Sequence, residues 1–320
     1  MKPLIFIDGE AGTTGLQIFS RLKGRTDINF LTLEENDRKD PARRSEAINN
    51  CDLAILCLPD AAAKEAVSFV KNTSVKILDA SSAHRTLEGW VYGFPEMTEG
   101  QHDLIASAKR VSNPGCYPTG AVAILRPLVE AGLIPADYPV NVHAISGYSG
   151  SGKSLIDAYE NENSLNFTQT PYRGYGLNLE HKHTSEIEKK SMLEYRPIFS
   201  PAYGKYRQGI VLYIPIHLRL LKTGVTASHL QQHLERHYQS SRFINVLEQN
   251  KIENITDVEP EILNNTNNMN IYVFHNNKHN QAIFVAVYDN LGKGASGAAV
   301  QNMNIMLSLE DAISNESLAA

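Results

Sequence analysis

Four short apolar runs in the first third of the chain, separated by segments with helical patterning, constrain the fold more than any other feature. The runs are PLIFID, INFLTL, DLAILCLP and VKILDAS, and the intervening segments include GLQIFSRLKGR, RRSEAINN and AAAKEAVSFVKN. Compact runs rich in β-branched residues and leucine are typical of parallel strands that are buried on both faces. Helical segments between them are typical of crossover connections. The sequence therefore predicts an α/β domain with a Rossmann-like, doubly wound sheet.

Beyond residue 140 the strand-like segments become longer, as in PVNVHAIS, GIVLYIPIHLRLL, NIYVFHN and QAIFVAVYDN. This texture favours a second, α+β domain with a mixed or antiparallel sheet. The last stretch, SGAAVQNMNIMLSLEDAIS, has apolar residues at helical spacing. We expect residues 1–115 to form a nucleotide-binding domain that a C-terminal helix, residues 295–320, completes, and residues 116–294 to form the second domain.

Composition excludes several classes of function. A formal net charge of −5 and a charged fraction of 20% argue against a nucleic-acid-binding surface. No apolar segment approaches the ~18 residues that a membrane span needs. The first residues, MKPLIFIDGE, are interrupted by Asp8 and read as a strand instead of a signal peptide, so the cytoplasm is the default location.

The chain has three cysteines, an odd number that argues against a disulfide framework. Two of them, Cys51 and Cys57, lie in CDLAILCLP and are expected to be core residues of a buried strand. No spacing typical of metal ligands is visible. His275 and His279 lie four residues apart, but their asparagine-rich context indicates a solvated loop.

A glycine-rich loop follows the first predicted strand directly, in DGEAGTTGLQIF. Gly9, Gly12 and Gly15 stand three apart ahead of an amphipathic helix, where backbone amides and the helix dipole bind a pyrophosphate. Thr13 and Thr14 are further candidate contacts. The spacing departs from G-x-G-x-x-G, but its place at the first strand-to-helix turn favours a dinucleotide.

The segment after the second strand, LTLEENDRKDPARR, is expected near the adenosine ribose. Glu34 there would favour NAD, whereas Arg38, Arg43 or Arg44 would favour the 2′-phosphate of NADP. These residues by themselves leave the two cofactors open.

The segment GYSGSGKS, residues 147–154, fits the pattern of a phosphate-binding P-loop letter for letter. The sequence that follows is too polar, and too rich in asparagine, tyrosine and glycine, for the long helix and buried strand of an NTPase. We interpret the segment as a loop that contacts substrate, with nucleotide hydrolysis as an alternative.

The segment VSNPGCYPTGAVAILRPLVEAG places Cys116 after a Pro-Gly turn, at the start of a predicted helix. Amides and the macrodipole at such a position stabilise a thiolate and lower the pKa of the thiol. A nucleophilic cysteine and a nicotinamide cofactor in one protein imply acyl-thioester chemistry.

Several motifs in order along the chain resemble the N-acetyl-γ-glutamyl-phosphate reductase family, related to aspartate-semialdehyde dehydrogenase. They are GEAGTTGLQI, LDASSAHR, SNPGCYPTG, GYGLNLEHKHTSEI, RQGIVLYIPIHL and YDNLGKGASGAAVQNMN, and the compact length resembles the shorter type of the family. The resemblance implies NADPH-dependent reduction of N-acetyl-L-glutamyl 5-phosphate to the 5-semialdehyde through a thioester on Cys116, in arginine biosynthesis. It also implies release of inorganic phosphate and a homodimer or homotetramer formed through the sheet of the second, catalytic domain.

The resemblance also suggests roles for other residues. His183 is our candidate acid and base, with His181 as a substrate contact or ring support; on an extended strand the two would point to opposite sides. Arg85 is the candidate for the phosphate. Candidates for the rest of the substrate site are Ser146, Gly147, Lys153, Arg173, Lys182 and Arg207. Asn290 and Gly292 resemble the element that holds the nicotinamide amide.

Three alternatives remain at this stage. One is another acyl-phosphate reductase, acting on aspartyl phosphate or on an aminoadipyl phosphate carried on a protein, since the same nucleophile serves all of them. Another is a non-catalytic NADP-binding regulator, which the presence of Cys116 and both histidines disfavours. The third is the NTPase already described.

Overall fold

The computed structural model describes residues 2–252 and 255–309. The helix expected over 295–320 ends at Met306 within the described part, and residues 310–320 lie outside that part. The strands are β1 (Leu4–Asp8), β2 (Asn29–Leu31), β3 (Leu53–Leu56), β4 (Lys76–Asp79), β5 (Val91–Tyr92), β6 (Arg110–Ser112), β7 (Asn141–Gly147), β8 (Tyr172–Gly174), β9 (Ile198–Gly204), β10 (Ile210–His217), β11 (Ile244–Val246), β12 (Met269–Asn276) and β13 (Gln281–Tyr288). The helices are α1 (Thr13–Leu22), α2 (Pro41–Asn50), α3 (Asp60–Ser68), α4 (Gln101–Ser107), α5 (Cys116–Glu130), α6 (Lys153–Glu160), α7 (Lys182–Lys190), α8 (Ala227–Tyr238), α9 (Gln249–Ile252) and α10 (Gly297–Met306). Over the two described ranges, none of these helices combines the length and the hydrophobicity that crossing a bilayer requires.

The chain forms two compact units. Unit 1 comprises the described residues up to Pro95, Glu99–Gly115 and residues 295–309. Its sheet has the order β2-β1-β3-β4-β6-β5, and every neighbouring pair in it is parallel. The doubly wound parallel sheet that the sequence predicted is therefore confirmed, although the run INFLTL contributes only the three residues of β2.

Helices cover both faces of the sheet in unit 1. Successive side chains of a strand point to opposite sides, so each strand packs into both layers. Leu53 and Ile55 of β3 pack into the cluster that contains residues of α1, α4 and α10. Ala54 and Leu56 pack into the cluster that contains residues of α2 and α3. All four residues of β3 are fully buried, which explains why its sequence is a continuous apolar run.

Cys51 and Cys57 flank β3 and do not lie within it, so their prediction as strand residues is wrong. Cys51 directly follows α2, and Cys57 follows the strand where the chain turns into Pro59 and α3. Burial raises the pKa of both thiols, that of Cys51 to about 12, which makes them unsuitable nucleophiles at neutral pH.

Unit 2 contains Glu96–Thr98 and Cys116–Gly294. Its sheet has the order β11-β12-β13-β10-β7-β9-β8, in which the pairs β11–β12 and β7–β9 are parallel and the others antiparallel. The mixed sheet of the second domain is confirmed. Helix α5 packs against α7, α8, β10 and β13 and is buried along most of its length, which its nearly unbroken apolar sequence explains.

Replacement of Gly9 by alanine should destabilise the protein. Gly9 has φ +88°, and a Cβ there would overlap the carbonyl oxygen of Cys57. We expect a loss of roughly 2–4 kcal/mol in the free energy of unfolding, measured by urea denaturation. Gly24→Ala is the matched control, because a Cβ at Gly24 meets no atom within 4 Å. Equal stability of the two variants would contradict the close approach of the loop to the end of β3.

Candidate active site

Cys116 is the first residue of α5, as the sequence predicted, and its side chain is partly exposed. The rest of the helix is almost entirely buried, so its dipole is poorly screened by water at this end. A negative charge on Sγ is favoured at such a position. The thiol is therefore both accessible and placed where a thiolate is stabilised.

A tyrosine at the end of β13 hydrogen-bonds to the first turns of α5. The hydroxyl of Tyr288, a fully buried residue, donates to the carbonyl oxygen of Cys116 at 2.7 Å and accepts from the amide of Gly120 at 3.2 Å. A Cβ at Gly120 would meet the Tyr288 ring within 2.6 Å, so only glycine leaves room for it. Sequence reasoning missed Tyr288, since nothing local marks it as a partner of a residue 172 positions earlier.

The two histidines lie at the amino end of α7 and not on an extended strand, so the predicted strand geometry is wrong. His181 is the N-cap, and its Nδ1 accepts a hydrogen bond from the amide of His183 at 3.1 Å. The His183 ring is buried, and the centroids of the two rings are 4.7 Å apart. The helix turn brings together two side chains that a strand would have separated.

Their different environments distinguish the two histidines chemically. Burial, and then the neighbouring Lys182 ammonium, lower the pKa of His181 to about 4. His181 is therefore neutral at physiological pH, and its Nδ1 is committed to capping α7. This arrangement favours His183 as the proton-transfer group and His181 as its support.

Tyrosines surround the nucleophile. Tyr175 donates to the hydroxyl of Tyr117 at 3.1 Å, Tyr117 donates to the carbonyl of Ala202 at 3.3 Å, and the Tyr175 and Tyr203 rings stack at 4.4 Å. Burial raises the pKa of all three phenols, and nearby charge on Cys116 raises it further. The phenols thus remain neutral hydrogen-bonding groups around the thiol, a cluster that the sequence analysis did not identify.

The edges of the tyrosine cluster link it to the histidines. The Tyr117 ring makes edge contacts with His181 at 6.2 Å and with His183 at 5.8 Å between centroids. Phe199 of β9 contacts the rings of Tyr117 and His181 at 5.2 and 5.1 Å. Cys116, both histidines and the aromatic residues therefore form one candidate site within unit 2.

The candidate substrate cations of unit 2 differ in their placement. Arg173 lies exposed on β8, in register with Tyr203, and Lys182 lies exposed between the two histidines. Arg207 is engaged by Glu160, with Nε 2.9 Å from Oε1. Lys153 is exposed at the start of α6. The structure thus brings Arg173 and Lys182 to the aromatic site.

Other candidates are held by protein groups. Arg85 in unit 1 is buried, and its guanidinium donates to the carbonyls of Asn113 at 2.9 Å and Ala80 at 3.2 Å. Asn290 is also buried; Oδ1 accepts from the Gly209 amide at 2.7 Å, and Nδ2 donates to Ser149 Oγ at 3.0 Å. These contacts fix the backbone around both residues, while their ligand roles stay predictions.

Gly292 begins a five-residue π-helical turn directly after β13, where a Cβ would overlap the carbonyl oxygen of Thr266. π-Helical turns are rare in proteins overall, and those that do occur are often at functional sites. The glycine is required here for packing, whatever its part in binding the nicotinamide.

Several amides of the segment that resembles a P-loop are engaged by protein carbonyls. The amides of Gly147, Tyr148 and Ser149 donate to the carbonyls of residues 209, 206 and 207, and that of Gly152 donates to residue 149. A P-loop needs such amides for phosphate. The buried Ser146 Oγ, just before the segment, donates to the carbonyl of Gly147 at 3.1 Å. The engaged amides at 147–149 and 152 are therefore not available to a phosphate.

The glycine loop of unit 1 has the geometry expected of a dinucleotide-binding turn. A Cβ at Gly9 or Gly15 would overlap neighbouring backbone atoms, and Gly12 packs more loosely against the carbonyl of Gly9. Thr13 and Thr14 are the first residues of α1. The loop lies at the carboxyl ends of β1 and β3, where the order of strands reverses and ligands of such sheets bind.

A cavity of about 490 Å³ adjoins this loop, and its residues fit the adenosine end of a dinucleotide. Its lining includes Gly9, Leu33, Arg38 and Lys39. Arg38 pairs with Glu10 at 2.6 Å, and Lys39 was not among the sequence-based candidates. The exposed side chains of Arg38 and Lys39 favour a 2′-phosphate on the ribose, because each carries a positive charge that can pair with a phosphate.

Arg44, also in the cavity wall, is engaged by carboxylates. It holds the buried Asp8 at 3.0 Å and Glu65 at 2.9 Å. Burial raises the pKa of Asp8, and the guanidinium opposes that rise. The pair neutralises a carboxylate that directly precedes the glycine loop and would otherwise repel a pyrophosphate.

Comparisons with known proteins agree with these features. Residues 116–290 match the family model described as semialdehyde dehydrogenase, dimerisation domain, and residues 23–105 match semialdehyde dehydrogenase, NAD binding domain. The chain is 56% identical over 310 residues to an N-acetyl-gamma-glutamyl-phosphate reductase of Burkholderia cenocepacia, covering 97% of this chain and 99% of the relative. It is 54% identical to N-acetyl-gamma-glutamyl-phosphate reductase 2 of Pseudomonas putida, covering 95% of this chain and 97% of the relative.

Solved structures show the same fold at low sequence identity. Aspartate semialdehyde dehydrogenase II of Vibrio cholerae superposes with a TM-score of 0.72 at 14% identity, covering 96% of this chain and 99% of that one. The aspartate semialdehyde dehydrogenase of Candida albicans, solved with NADP, gives a TM-score of 0.64 at 14% identity and covers 96% and 99%.

The low pKa of His181 predicts a pH-dependent stability that His181→Asn should remove. An unfolded histidine binds a proton near pH 6.5 but His181 in the folded protein only near pH 4, so stability falls as the pH drops between these values. Asparagine keeps the N-cap and does not titrate. Relative to the variant, the wild type should lose about 1–2 kcal/mol of unfolding free energy from pH 7 to pH 4, less than the full shift would give because the ring is partly exposed. Parallel stability curves for the two proteins would refute this assignment.

Proposed function

Because the chain belongs to the N-acetyl-γ-glutamyl-phosphate reductase family of the semialdehyde dehydrogenases, we propose that it reduces N-acetyl-L-glutamyl 5-phosphate to N-acetyl-L-glutamate 5-semialdehyde. The reaction uses NADPH, releases phosphate and is a step of arginine biosynthesis. The observation that carries the proposal is the partly exposed Cys116 at the amino end of a buried helix, in one site with two histidines.

Cys116 acts as the nucleophile in this proposal. Its thiolate attacks the acyl carbon, the bond from that carbon to the phosphate oxygen breaks, and a thioester remains on Sγ. NADPH, when bound, supplies the hydride that reduces this thioester. The resulting thiohemiacetal collapses with cleavage of the carbon–sulfur bond, which returns the thiolate and releases the aldehyde.

His183 moves the proton that activation of Cys116 requires. It accepts the thiol proton before attack and donates it to the departing phosphate oxygen, so that the leaving group is released as hydrogen phosphate. His181 fixes the main chain of His183 through the N-cap hydrogen bond and stays neutral, so it adds no second positive charge. The buried phenols of Tyr117 and Tyr175 exclude water from the thioester.

We assign the anionic groups of the substrate to Arg173 and Lys182, which lie beside the aromatic site. Arg85, Ser146, Gly147, Lys153 and Arg207 stay predictions for substrate binding. Unit 1 is proposed to bind NADPH through the loop Gly9–Gly15, and unit 2 to carry catalysis and oligomerisation, with a boundary near residue 116 and completion of unit 1 by α10.

We further propose that the protein is a homodimer or homotetramer that forms through the sheet of unit 2. The matched family model for this region is that of a dimerisation domain. One face of the sheet carries partly exposed apolar side chains on adjacent strands, Tyr213, Phe274 and Ile283 among them. The three cysteines are free thiols, which suits a reducing cytoplasm.

The reverse reaction provides the decisive assay. Purified protein with NADP⁺, phosphate and N-acetylglutamate semialdehyde should produce reduced cofactor, and Cys116→Ser should lower the rate by at least about 10³-fold. Cys51→Ser is the control and should keep the rate, since Cys51 lies buried in unit 1. Activity with aspartate semialdehyde alone would preserve the mechanism but overturn the substrate; no phosphate-dependent reduction with either substrate would overturn the function.

Cofactor preference should depend on the two exposed cations of the cavity. Replacing Arg38 or Lys39 by glutamine should raise KM for NADPH about tenfold, because one ionic contact with the 2′-phosphate is lost, and should leave KM for NADH nearly unchanged. The control is Arg43→Gln, since Arg43 is exposed and pairs with Glu46 at 3.1 Å. Equal effects on both cofactors would place the 2′-phosphate elsewhere.

A further inference from the structure

Unit 2 contains a lysine that is almost completely buried, Lys293 in the segment DNLGKGASG. Its side chain is 1% exposed, and Nζ lies 2.7 Å from Oε1 of Glu96, whose side chain is 12% exposed. The ammonium also lies 5.4 Å from the centroid of the Phe243 ring. Buried lysines are rare, and removing water from an ion pair is costly, so the pair is weak evidence for a purely stabilising role.

The acidic partner is held firmly within the same unit. The main-chain carbonyl of Glu96 accepts a hydrogen bond from Nε2 of His237 on α8 at 3.0 Å. Two residues later, Thr98 donates to Glu130 at the end of α5 at 2.8 Å. The ion pair therefore ties the turn that contains Lys293 to a segment fixed on the helices of unit 2.

That turn lies directly against the nucleophile. A Cβ built on Gly294 would be 3.2 Å from Cβ of Cys116, which is tighter than ordinary contact, and 3.4 Å from its Cα. The Gly294 amide donates to the carbonyl of Asp289 at 2.9 Å, so the turn closes back on the end of β13. A shift of the residue next to Lys293 would consequently be transmitted to Cys116.

We propose that the Lys293–Glu96 ion pair is a positioning device that holds the turn from Gly292 to Gly294 against Cys116 and thereby sets the orientation of the thiolate. The proposal rests on the proposed function in that Cys116 is taken as the nucleophile. Lys293 is a positioning residue, because burial keeps its ammonium from binding a substrate anion. A buried, directional pair suits this task, because the turn itself is rich in glycine and has little rigidity of its own.

The test separates positioning from stability with four variants. Lys293→Met leaves Glu96 without this ammonium, so it should lower stability; the double variant Lys293→Met with Glu96→Gln removes both charges and should restore much of it. Lys293→Arg is the conservative replacement. Lys251→Met is the matched control, since Lys251 pairs with Glu248 at 3.3 Å on the surface of the same unit.

Two readouts are measured on each protein. The first is the rate of Cys116 alkylation by iodoacetamide from pH 6 to pH 9, followed by mass spectrometry of its peptide so that Cys51 and Cys57 do not contribute. The second is the separate measurement of kcat and KM in the reverse reaction, with thermal unfolding recorded in parallel.

We expect the double variant to unfold close to the wild-type temperature, yet to show alkylation at pH 7 and kcat reduced about tenfold or more, with KM changed less than about twofold. Lys293→Arg should recover most of both rates, and Lys251→Met should match the wild type. Wild-type alkylation and kcat in a folded double variant would overturn the proposal and leave the pair purely structural. A wild type without reductase activity whose Cys116 alkylation still depends on Lys293 would instead overturn the proposed function and retain the positioning role.

Discussion

The position of Cys116 at the amino end of the buried helix α5 is the constraint on which the catalytic unit depends. A helix terminus leaves amides and a partial positive charge at its start, and burial of the helix keeps water from screening that charge. The terminus stays in place because Tyr288 bonds to the carbonyl of Cys116 and because Gly120 leaves space for its ring. The last strand of the sheet thus fixes the first residue of the helix.

The phenols and the His181 ring near the thiol are kept uncharged, whereas Arg173 and Lys182 are exposed. Burial keeps the phenols of Tyr117 and Tyr175 protonated and His181 neutral at physiological pH. Arg173 and Lys182 remain exposed at the edge, where an anionic substrate can reach them. Neutral phenols and a neutral imidazole beside Cys116 add no negative charge that would repel an anionic substrate.

Much of this was predictable from the sequence. The parallel sheet of unit 1, the glycine loop and the start of α5 at Cys116 follow from local signals, namely the periodicity of apolar residues and the turn chemistry of glycine and proline. The geometry of the histidines was not predictable, because residues two apart share a site on a helix N-terminus and separate on a strand. The expectation that Cys51 and Cys57 lie within β3 failed for a similar reason, since strand ends depend on pairing partners.

The sequence by itself determined the fold class and the family motifs and predicted Cys116 as the nucleophile, because local patterns and residues of specific chemistry carry this information. Only the tertiary structure decided which charges are available. In the folded chain Arg44 pairs with Asp8, and Arg85 donates to backbone carbonyls. Arg173 stays exposed, whereas Lys293 is buried against Glu96. Those partners lie 36, 28 and 197 residues apart along the chain. Local periodicity carries no information over such separations, whereas desolvation and hydrogen bonding act only on the groups that folding brings together.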